Sequence, residues 1–108
     1  MAKTVVVAGV EAEVAETFAA RAKGLIGRDG LPRGRGLLIP HCNAIHTCFM
    51  RFAIDATFFD KKGNVVKVVR NIRPWRFLVW GGFRARQVLE TAAGISEVRC
   101  AQARRSMV

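Results

Sequence analysis

A chain of 108 residues has room for one hydrophobic core, and its hydrophobic share of 51% is enough to fill that core. The charged residues are unbalanced, since 18 Lys and Arg face 8 Asp and Glu and give a net charge of +10. These values exclude a disordered chain and a second independent core, and they favour encounters with polyanions. We therefore expect a single domain over residues 1–108.

The sequence also limits the location of the protein. It has no run of about 18 apolar residues, which a membrane-spanning helix requires, and three glutamates interrupt its apolar start before a secretory signal could form. Three cysteines are an odd number and do not suit a disulfide framework. We predict a cytoplasmic protein with reduced thiols and no membrane span, either a monomer or a small homo-oligomer.

The first elements in the chain are predicted to be strands. Thr4–Ala8 is β-branched, and apolar residues alternate with glutamates over Val10–Val14, which is the period of a half-buried strand. A helix over Val10–Lys23 is the alternative, because apolar side chains there also recur every four residues. We favour two strands followed by one short helix near residues 17–24, with Thr17 near its N-cap.

A glycine-rich stretch, Gly24–Gly36, follows the predicted helix. It holds five glycines and one proline, with arginines between them, and is predicted to be a loop. Phosphate-binding loops follow the patterns GxGxxG or GxxxxGK[ST] between a strand and a helix, and this stretch matches neither pattern. We interpret it as a structural connector.

The middle of the chain reads as a series of short strands. Leu37–Pro40 is apolar, Ile45–Arg51 alternates between two faces, and Ile54–Phe59 continues in the same style. The polar turn Asp60–Asn64 then separates Ile54–Phe59 from the valine-rich run Val65–Val69. This arrangement is the clearest hairpin signal in the sequence.

The last third is less regular. Phe77–Trp80 is apolar and ends at two glycines, whereas Ala85–Thr91 is compatible with a strand or a helix. Gly94 and Ile95–Cys100 suggest two final strands around a turn. Six to eight short strands and one helix predict a mainly β protein, a compact antiparallel β-sandwich or barrel-like domain.

Three stretches together resemble a known family. They are RAKGLIGR at Arg21–Arg28, IHTCFMRFAID at Ile45–Asp55 and VLETAAG at Val88–Gly94. In their order and spacing they are similar to the bacterial and archaeal family named domain of unknown function 192. The resemblance covers nearly the whole chain. It implies a compact β-sandwich or barrel-like fold of this length, and it implies no established reaction.

A group of cysteine and histidine residues is the first candidate for chemistry. Cys42, His46 and Cys48 are potential ligands of zinc or copper, and on a strand His46 and Cys48 would share one face about 6 to 7 Å apart. Cys100 would have to complete such a site. A cysteine nucleophile beside His46, oriented by Asp55, is a second possibility. Buried structural thiols are the commoner outcome, so we predict no cofactor and keep a metal- or thiol-dependent enzyme as the alternative.

The family motifs also contain a charged set, made up of Arg21, Arg28, Asp55 and Glu90. Strand alternation could turn some of these side chains inward, where they must be paired. Stabilising ion pairs are the favoured interpretation. The alternative is a polar ligand pocket in which Arg21 or Arg28 binds an anion. Nothing in the sequence sets the separation of the two carboxyl groups, and His46 is expected to be a histidine at the edge of the core.

The segment Arg70–Arg86 is the strongest binding candidate. Its basic and aromatic residues alternate in the way that single-stranded nucleic-acid grooves use for phosphate attraction and base stacking. The competing interpretation places the rings in the core with arginines over their edges. The residues that carry the binding hypothesis are Arg70, Arg73, Trp75, Arg76, Phe77, Trp80, Phe83, Arg84 and Arg86.

We therefore predict a basic binding or accessory protein rather than an enzyme. Its ligand and partners are unknown, and a polyanion such as nucleic acid is the leading class. The full set of candidate ligand-binding residues is Arg21, Arg28, His46, Asp55, Arg70, Arg73, Trp75, Arg76, Trp80, Arg84 and Arg86.

Overall fold

The computed structural model describes residues 3–17, 20 and 23–94. Its strands are β1 (Lys3–Val7), β2 (Val10–Val14), β3 (Arg35–Pro40), β4 (Ala44–Ile45), β5 (Ile54–Phe59), β6 (Val65–Ile72), β7 (Val79–Trp80) and β8 (Gln87–Ala92). Six of them form one open sheet in the order β1-β2-β3-β8-β5-β6, and β4 pairs with β7 in a two-stranded sheet. The predicted mainly β class is confirmed.

The two strands predicted at the start of the chain are present. β1 and β2 pair antiparallel around Ala8 and Gly9, which both have positive φ values, 51° and 81°. Two positive φ values in a two-residue connection are typical of the tight hairpin turn that matches strand twist. In β2 the buried Val10 and Ala12 alternate with the exposed Glu11, so the alternative helix over this segment is wrong.

One strand pair in the sheet departs from the predicted antiparallel pattern. β2 and β3 run parallel, with Glu11 opposite Arg35 and Val14 opposite Leu38. Parallel neighbours need a long crossover connection, and residues 15–34 supply it. The glycine-rich stretch is thus a connector in this fold, and it is anchored by Leu25, which is buried in the main core.

The described residues at both ends of the predicted helix near 17–24 match it. The backbone N–H of Ala20 donates to Thr17 Oγ1 at 3.0 Å, as at a helix N-cap. The N–H of Gly24 donates to the Ala20 carbonyl at 2.9 Å, and Gly24 has the left-handed φ of +54° that commonly ends a helix. Residues 18–19 and 21–22, and with them Arg21, lie outside the described residues.

The predicted hairpin is confirmed as β5 and β6. All six residues of β5 are buried, because the strand lies between β8 and β6 in the sheet and has a core cluster on each face. Asp60 closes the turn, since its Oδ1 accepts the N–H groups of Lys62 and Asn64 at 2.9 Å each. The returning strand extends to Ile72, beyond the predicted Val69.

The core lies on both faces of the sheet, with the larger cluster on one side. Successive residues of β3 alternate between the clusters, since Leu37 and Ile39 belong to the larger and Leu38 to the smaller. β8 alternates in the same way through Val88 and Leu89. Each central strand therefore contributes to both sides.

The predicted strand over residues 45–51 is wrong beyond Ile45. The chain turns after that residue: the N–H of Met50 donates to the Thr47 carbonyl at 3.2 Å, and Phe49 has a φ of +66°. Ala85–Thr91, which was compatible with a strand or a helix, is mostly the strand β8. The predicted final strands over Ile95–Cys100 lie outside the described residues.

Within the ranges that the structure describes, no helix has the length and the apolar character that crossing a membrane requires.

Candidate functional site

The two short strands β4 and β7 belong to a longer paired unit. Ala44 lies opposite Trp80 and Ile45 opposite Val79. Hydrogen bonds extend the pairing on both sides, from the Gly81 N–H to the Asn43 carbonyl at 2.7 Å and from the Thr47 N–H to the Arg76 carbonyl at 2.9 Å. We call residues 43–50 together with 73–86 the aromatic ribbon.

Thr47 fixes the shape of the aromatic ribbon. Its side chain is fully buried, and Oγ1 donates to the Arg73 carbonyl at 2.6 Å and accepts the Arg76 N–H at 2.9 Å. The Thr47 carbonyl also accepts the Trp75 N–H at 3.0 Å. Sequence reasoning missed this role, although Thr47 stands inside the second family motif. The available signal was the position of this hydroxyl between His46 and Cys48, which were both candidates for metal binding or catalysis.

The aromatic side chains of the ribbon lie on the surface in two contacting pairs. Phe49 and Trp75 have ring centroids 4.7 Å apart and are 65% and 54% exposed. Trp80 and Phe83 are also 4.7 Å apart, nearly perpendicular, and are 42% and 85% exposed. Phe77 is 81% exposed. The interpretation of these rings as core is therefore wrong.

The first of these pairs is held in a strained backbone. Phe49 and Trp75 have φ values of +66° and +73°, in the left-handed region that bulky residues avoid at a cost of about 1 to 2 kcal/mol each. Such conformations persist only where the surrounding structure enforces them, and they cluster at functional sites. The enforcing contacts here are the hydrogen bonds of Thr47, so both rings are held outward by a rigid frame.

Four exposed arginines flank the ring-bearing residues in the chain. Arg73, Arg76, Arg84 and Arg86 are all exposed. The guanidinium of Arg86 is oriented by the chain itself, because Nη1 donates to the Phe83 carbonyl at 2.8 Å and to the Ala85 carbonyl at 3.0 Å. The ribbon thus presents cationic groups and ring faces on one structural unit.

The cationic surface continues past the second aromatic pair. Arg84 and Arg86 line a depression together with Lys61 and Lys62 of the β5–β6 turn. Asp60 also lines it, and its pKa is lowered, chiefly because the backbone N–H of Asn64 donates to the carboxylate. Four basic side chains against one carboxylate leave this depression positively charged.

Arg70 lies on β6 and pairs with Asp55. Arg70 Nη1 is 3.6 Å from Asp55 Oδ2, and the N–H of Asn71 donates to Oδ1 at 2.7 Å. Asp55 is only 3% exposed. Both of its oxygens therefore have partners on β6, which agrees with a stabilising ion pair rather than with an acid that orients a cysteine.

Arg28 also takes part in an ion pair. Its Nη2 lies 3.0 Å from Glu13 Oε1, with both side chains about 40% exposed. Because Glu13 belongs to β2, this pair sits toward the sheet edge opposite β6 and does not join the aromatic ribbon.

Each member of the predicted cysteine and histidine group makes its own hydrogen bond. Cys42 Sγ donates to the Ala44 carbonyl at 3.0 Å, and Cys48 Sγ lies 3.8 Å from the Arg76 carbonyl. His46 is exposed, and its Nδ1 accepts the Cys48 N–H at 3.1 Å. Among residues 3–17, 20 and 23–94 no group of three His, Cys, Asp or Glu side chains could hold a metal ion. Cys100 is outside these residues.

Glu90 is the most unusual carboxyl group in the structure. It is 3% exposed, and its Oε1 has no hydrogen-bond partner in the described part of the chain. Burial raises its pKa from 4.5 to about 7. It lines a cavity of about 180 Å³ with apolar walls that include Leu25, Ile39, Ile45 and Met50. The sequence analysis named Glu90 in its charged set and expected any inward-facing member of that set to be paired.

Glu90 and Asp55 do not form a carboxylate pair. Glu90 lies opposite Ala56 in the sheet, whereas Asp55 lies opposite Thr91. Consecutive residues of a strand face opposite sides, so the two carboxyl groups are on opposite faces. Each must be explained separately.

Two solved structures share this fold. A protein of unknown function from Novosphingobium aromaticivorans has a TM-score of 0.73 at 22% identity, covering 89% of this chain and 75% of that one. A Sinorhizobium meliloti protein described as a "putative transcription regulator" has a TM-score of 0.73 at 19% identity, covering 85% and 79%. At these identities the likeness concerns the fold alone.

The search of curated proteins finds no match to this chain. The resemblance carried by the three sequence motifs is nevertheless confirmed, because the family model of uncharacterized ACR proteins called DUF192 matches residues 2–103. The chain belongs to the DUF192 family.

Proposed function

We propose that this protein binds single-stranded nucleic acid on the aromatic ribbon. The observation that carries the proposal is the pair of contacting aromatic couples, Phe49 with Trp75 and Trp80 with Phe83, held exposed beside arginines. Exposed rings give unstacked bases a surface on which to stack, and arginines attract the phosphates between them. This role requires no catalytic group.

The dimensions of the ribbon suit a short stretch of single strand. Trp75 and Trp80 are five residues apart, so their Cα atoms are separated by at most about 18 Å. At a base spacing of about 3.4 Å this upper limit corresponds to at most about five stacked nucleotides. That number falls within the range of about 4 to 16 nucleotides that single-strand binding modules cover.

The charge of the surface favours a polyanion over an apolar protein partner. Arg73, Arg76 and Arg84 are exposed and adjoin the ring-bearing residues in the chain, and the sequence has no acidic residue between Arg70 and Arg86. The whole chain carries +10, which adds long-range attraction for a phosphate backbone. Paired bases hide their faces in a duplex, so single strands are the form that the rings would recognise.

The test is fluorescence anisotropy with labelled oligonucleotides of about 12 nucleotides, as single-stranded DNA, single-stranded RNA and duplex. With about four arginine–phosphate contacts, affinity for a single strand should fall about fiftyfold as salt rises from about 50 to 200 mM. Duplex DNA should bind more weakly at every salt concentration. Absence of single-strand binding at low salt would overturn the proposal.

A matched set of variants separates a local site from general charge. Replacing Arg73, Arg76 and Arg84 by Gln removes three charges from the ribbon. Replacing three arginines of the connector and β3 by Gln removes the same charge elsewhere, namely Arg28, Arg33 and Arg35. The first set should lower the salt slope by about 2, and the second should leave it nearly unchanged. Equal losses from both sets would contradict a site on the ribbon.

A further inference from the structure

The cavity beside Glu90 has the features of a second binding site. Its walls are mainly apolar, and Gly24 lines it without a side chain. A Cβ atom at Gly24 would lie 3.9 Å from Glu90 Oε1, so this oxygen lies beside the glycine in the wall of the cavity. A buried carboxyl oxygen without a hydrogen bond is costly, and native proteins rarely leave such an atom without a partner.

The polar side chains that share the cavity do not supply the missing hydrogen bond. Lys23, Cys42 and His46 line it, and Lys23 is exposed at its rim. Cys42 Sγ donates to the Ala44 carbonyl. His46 Nδ1 accepts from the Cys48 N–H. Within the described residues, none of these three groups bonds to Glu90 Oε1.

We propose that the cavity binds a small organic ammonium ion, a primary amine with a compact apolar body, whose nitrogen donates to Glu90. A positively charged donor offsets the lost hydration of a buried carboxylate better than a neutral donor does. The size follows from the volume of about 180 Å³, since an apolar cavity of about 150 Å³ holds benzene. The ligand therefore has about seven non-hydrogen atoms.

Binding of this kind depends on pH in a definite direction. Burial raises the pKa of Glu90 to about 7, so the empty site is mostly protonated at pH 6 and mostly ionised at pH 8. An alkylammonium ion stays charged at both values, because its pKa is close to that of lysine. Affinity should therefore be about tenfold higher at pH 8 than at pH 6.

The probe is cyclohexylamine, titrated into the full chain by calorimetry. It has the size of the cavity, and cyclohexanol and cyclohexanecarboxylate are its neutral and anionic counterparts. We expect a dissociation constant on the order of 1 mM for the amine at pH 8 and at least tenfold weaker binding of both counterparts. Equal binding of cyclohexanol, or no binding of the amine at about 20 mM, would overturn the proposal.

Two variants test the charge of the site and the volume of the cavity separately. Glu90→Gln keeps the shape of the side chain and removes its charge, and Ala44→Leu fills the cavity while it leaves Glu90 in place. Both should lower amine affinity at least tenfold. Glu13→Gln, which removes a surface carboxylate, should have no effect. Unchanged affinity in both cavity variants would place the amine elsewhere.

Two further variants identify the titrating group. His46→Asn removes the only imidazole among the cavity-lining residues, and the pH dependence of binding should persist in it. Arg21→Gln removes an arginine of the first family motif, which lies outside the described residues. The ¹³C shift of the Glu90 carboxyl should titrate near pH 7 with or without Arg21, and cyclohexylamine should lower its midpoint by at least about one unit. A midpoint that moves more than about one unit in Arg21→Gln would show an internal partner and overturn the proposal.

Discussion

The aromatic ribbon and the Glu90 cavity both depart from the usual distribution of side chains, in which apolar groups are buried and carboxyl groups are exposed. The ribbon exposes four large rings, Phe49, Trp75, Phe77 and Phe83, by more than half, and the cavity buries a carboxyl group almost completely. The two regions are neighbours, because Ile45 and Met50 line the cavity from the same segment that carries Phe49 outward. Large exposed apolar groups and buried carboxyl groups without a partner are both unusual in a folded protein, and these two features are the reason why we propose a binding role for each region.

The largest expected effect concerns the buried carboxyl group of Glu90 and the pH dependence of stability. The pKa of Glu90 is raised to about 7 in the folded state, so between pH 4.5 and 7 the folded protein holds a proton that the unfolded chain has lost. Stability therefore falls as pH rises through this window and levels off above it. Between pH 5 and 8 the free energy of unfolding should fall by about 2.5 kcal/mol from this group.

Urea denaturation of the ligand-free protein at both pH values measures this effect. Glu90→Gln removes the titrating group, so its stability should lack this component of the pH dependence. The same slope in the wild type and in Glu90→Gln would assign the dependence to other groups.

The next effect concerns the frame that holds the ribbon. Thr47→Val removes the hydroxyl that bonds to the Arg73 carbonyl and the Arg76 N–H, and it leaves both backbone groups short of a partner in a buried place. We expect a loss of about 2 kcal/mol in the free energy of unfolding. Thr47→Ser keeps the hydroxyl and should lose about 1 kcal/mol or less, through its missing methyl group. Chemical denaturation of the three proteins gives the comparison, and equal losses in both variants would show that the hydroxyl is not essential.

A smaller effect concerns the outward face of the ribbon. Trp75→Ala removes one half of an exposed ring pair and should weaken single-strand binding about tenfold, which corresponds to about 1.4 kcal/mol. Its salt slope should not change, because no charge is lost. Val6→Ala is the control, since Val6 is an exposed apolar residue on β1, an edge strand of the six-stranded sheet. Anisotropy titrations that show the same loss for both variants would remove Trp75 from the site.

The smallest effect is expected at Arg28. Its pair with Glu13 is largely exposed, and such pairs contribute about 0.5 kcal/mol or less. Arg28→Gln should therefore lower the free energy of unfolding, measured by urea denaturation, by about 0.5 kcal/mol or less. A loss of more than about 1.5 kcal/mol would show that this arginine supports the connector through contacts beyond the pair.

Local signals in the sequence were sufficient for several elements. The β5–β6 hairpin was predictable because the turn residue Asp60 bonds to Lys62 and Asn64, only two and four positions away. The contact between Thr17 and Ala20 at the start of the predicted helix is equally local. Interactions between residues so close in the chain can be recognised from the local sequence.

The prediction of a strand after Ile45 was wrong for the opposite reason. The apolar alternation of this segment resembles a strand, but its backbone is set by bonds from Thr47 to Arg73 and Arg76, which are 26 and 29 positions away. Such contacts leave no periodic trace in the sequence. The same holds for the parallel pairing of β2 with β3, which depends on how the connector crosses the sheet.

The sequence by itself determined the mainly β class, the family, the hairpin and the concentration of arginine and aromatic residues between Arg70 and Arg86, because composition and short-range pattern encode them. Only the tertiary structure decided that the rings face solvent, that Arg70 belongs to an ion pair with Asp55, and that Glu90 lines a cavity. Burial and charge pairing depend on which distant strands become neighbours and in what register. The identity of a residue sets its chemistry, whereas its burial and its contacts depend on the residues that pack around it.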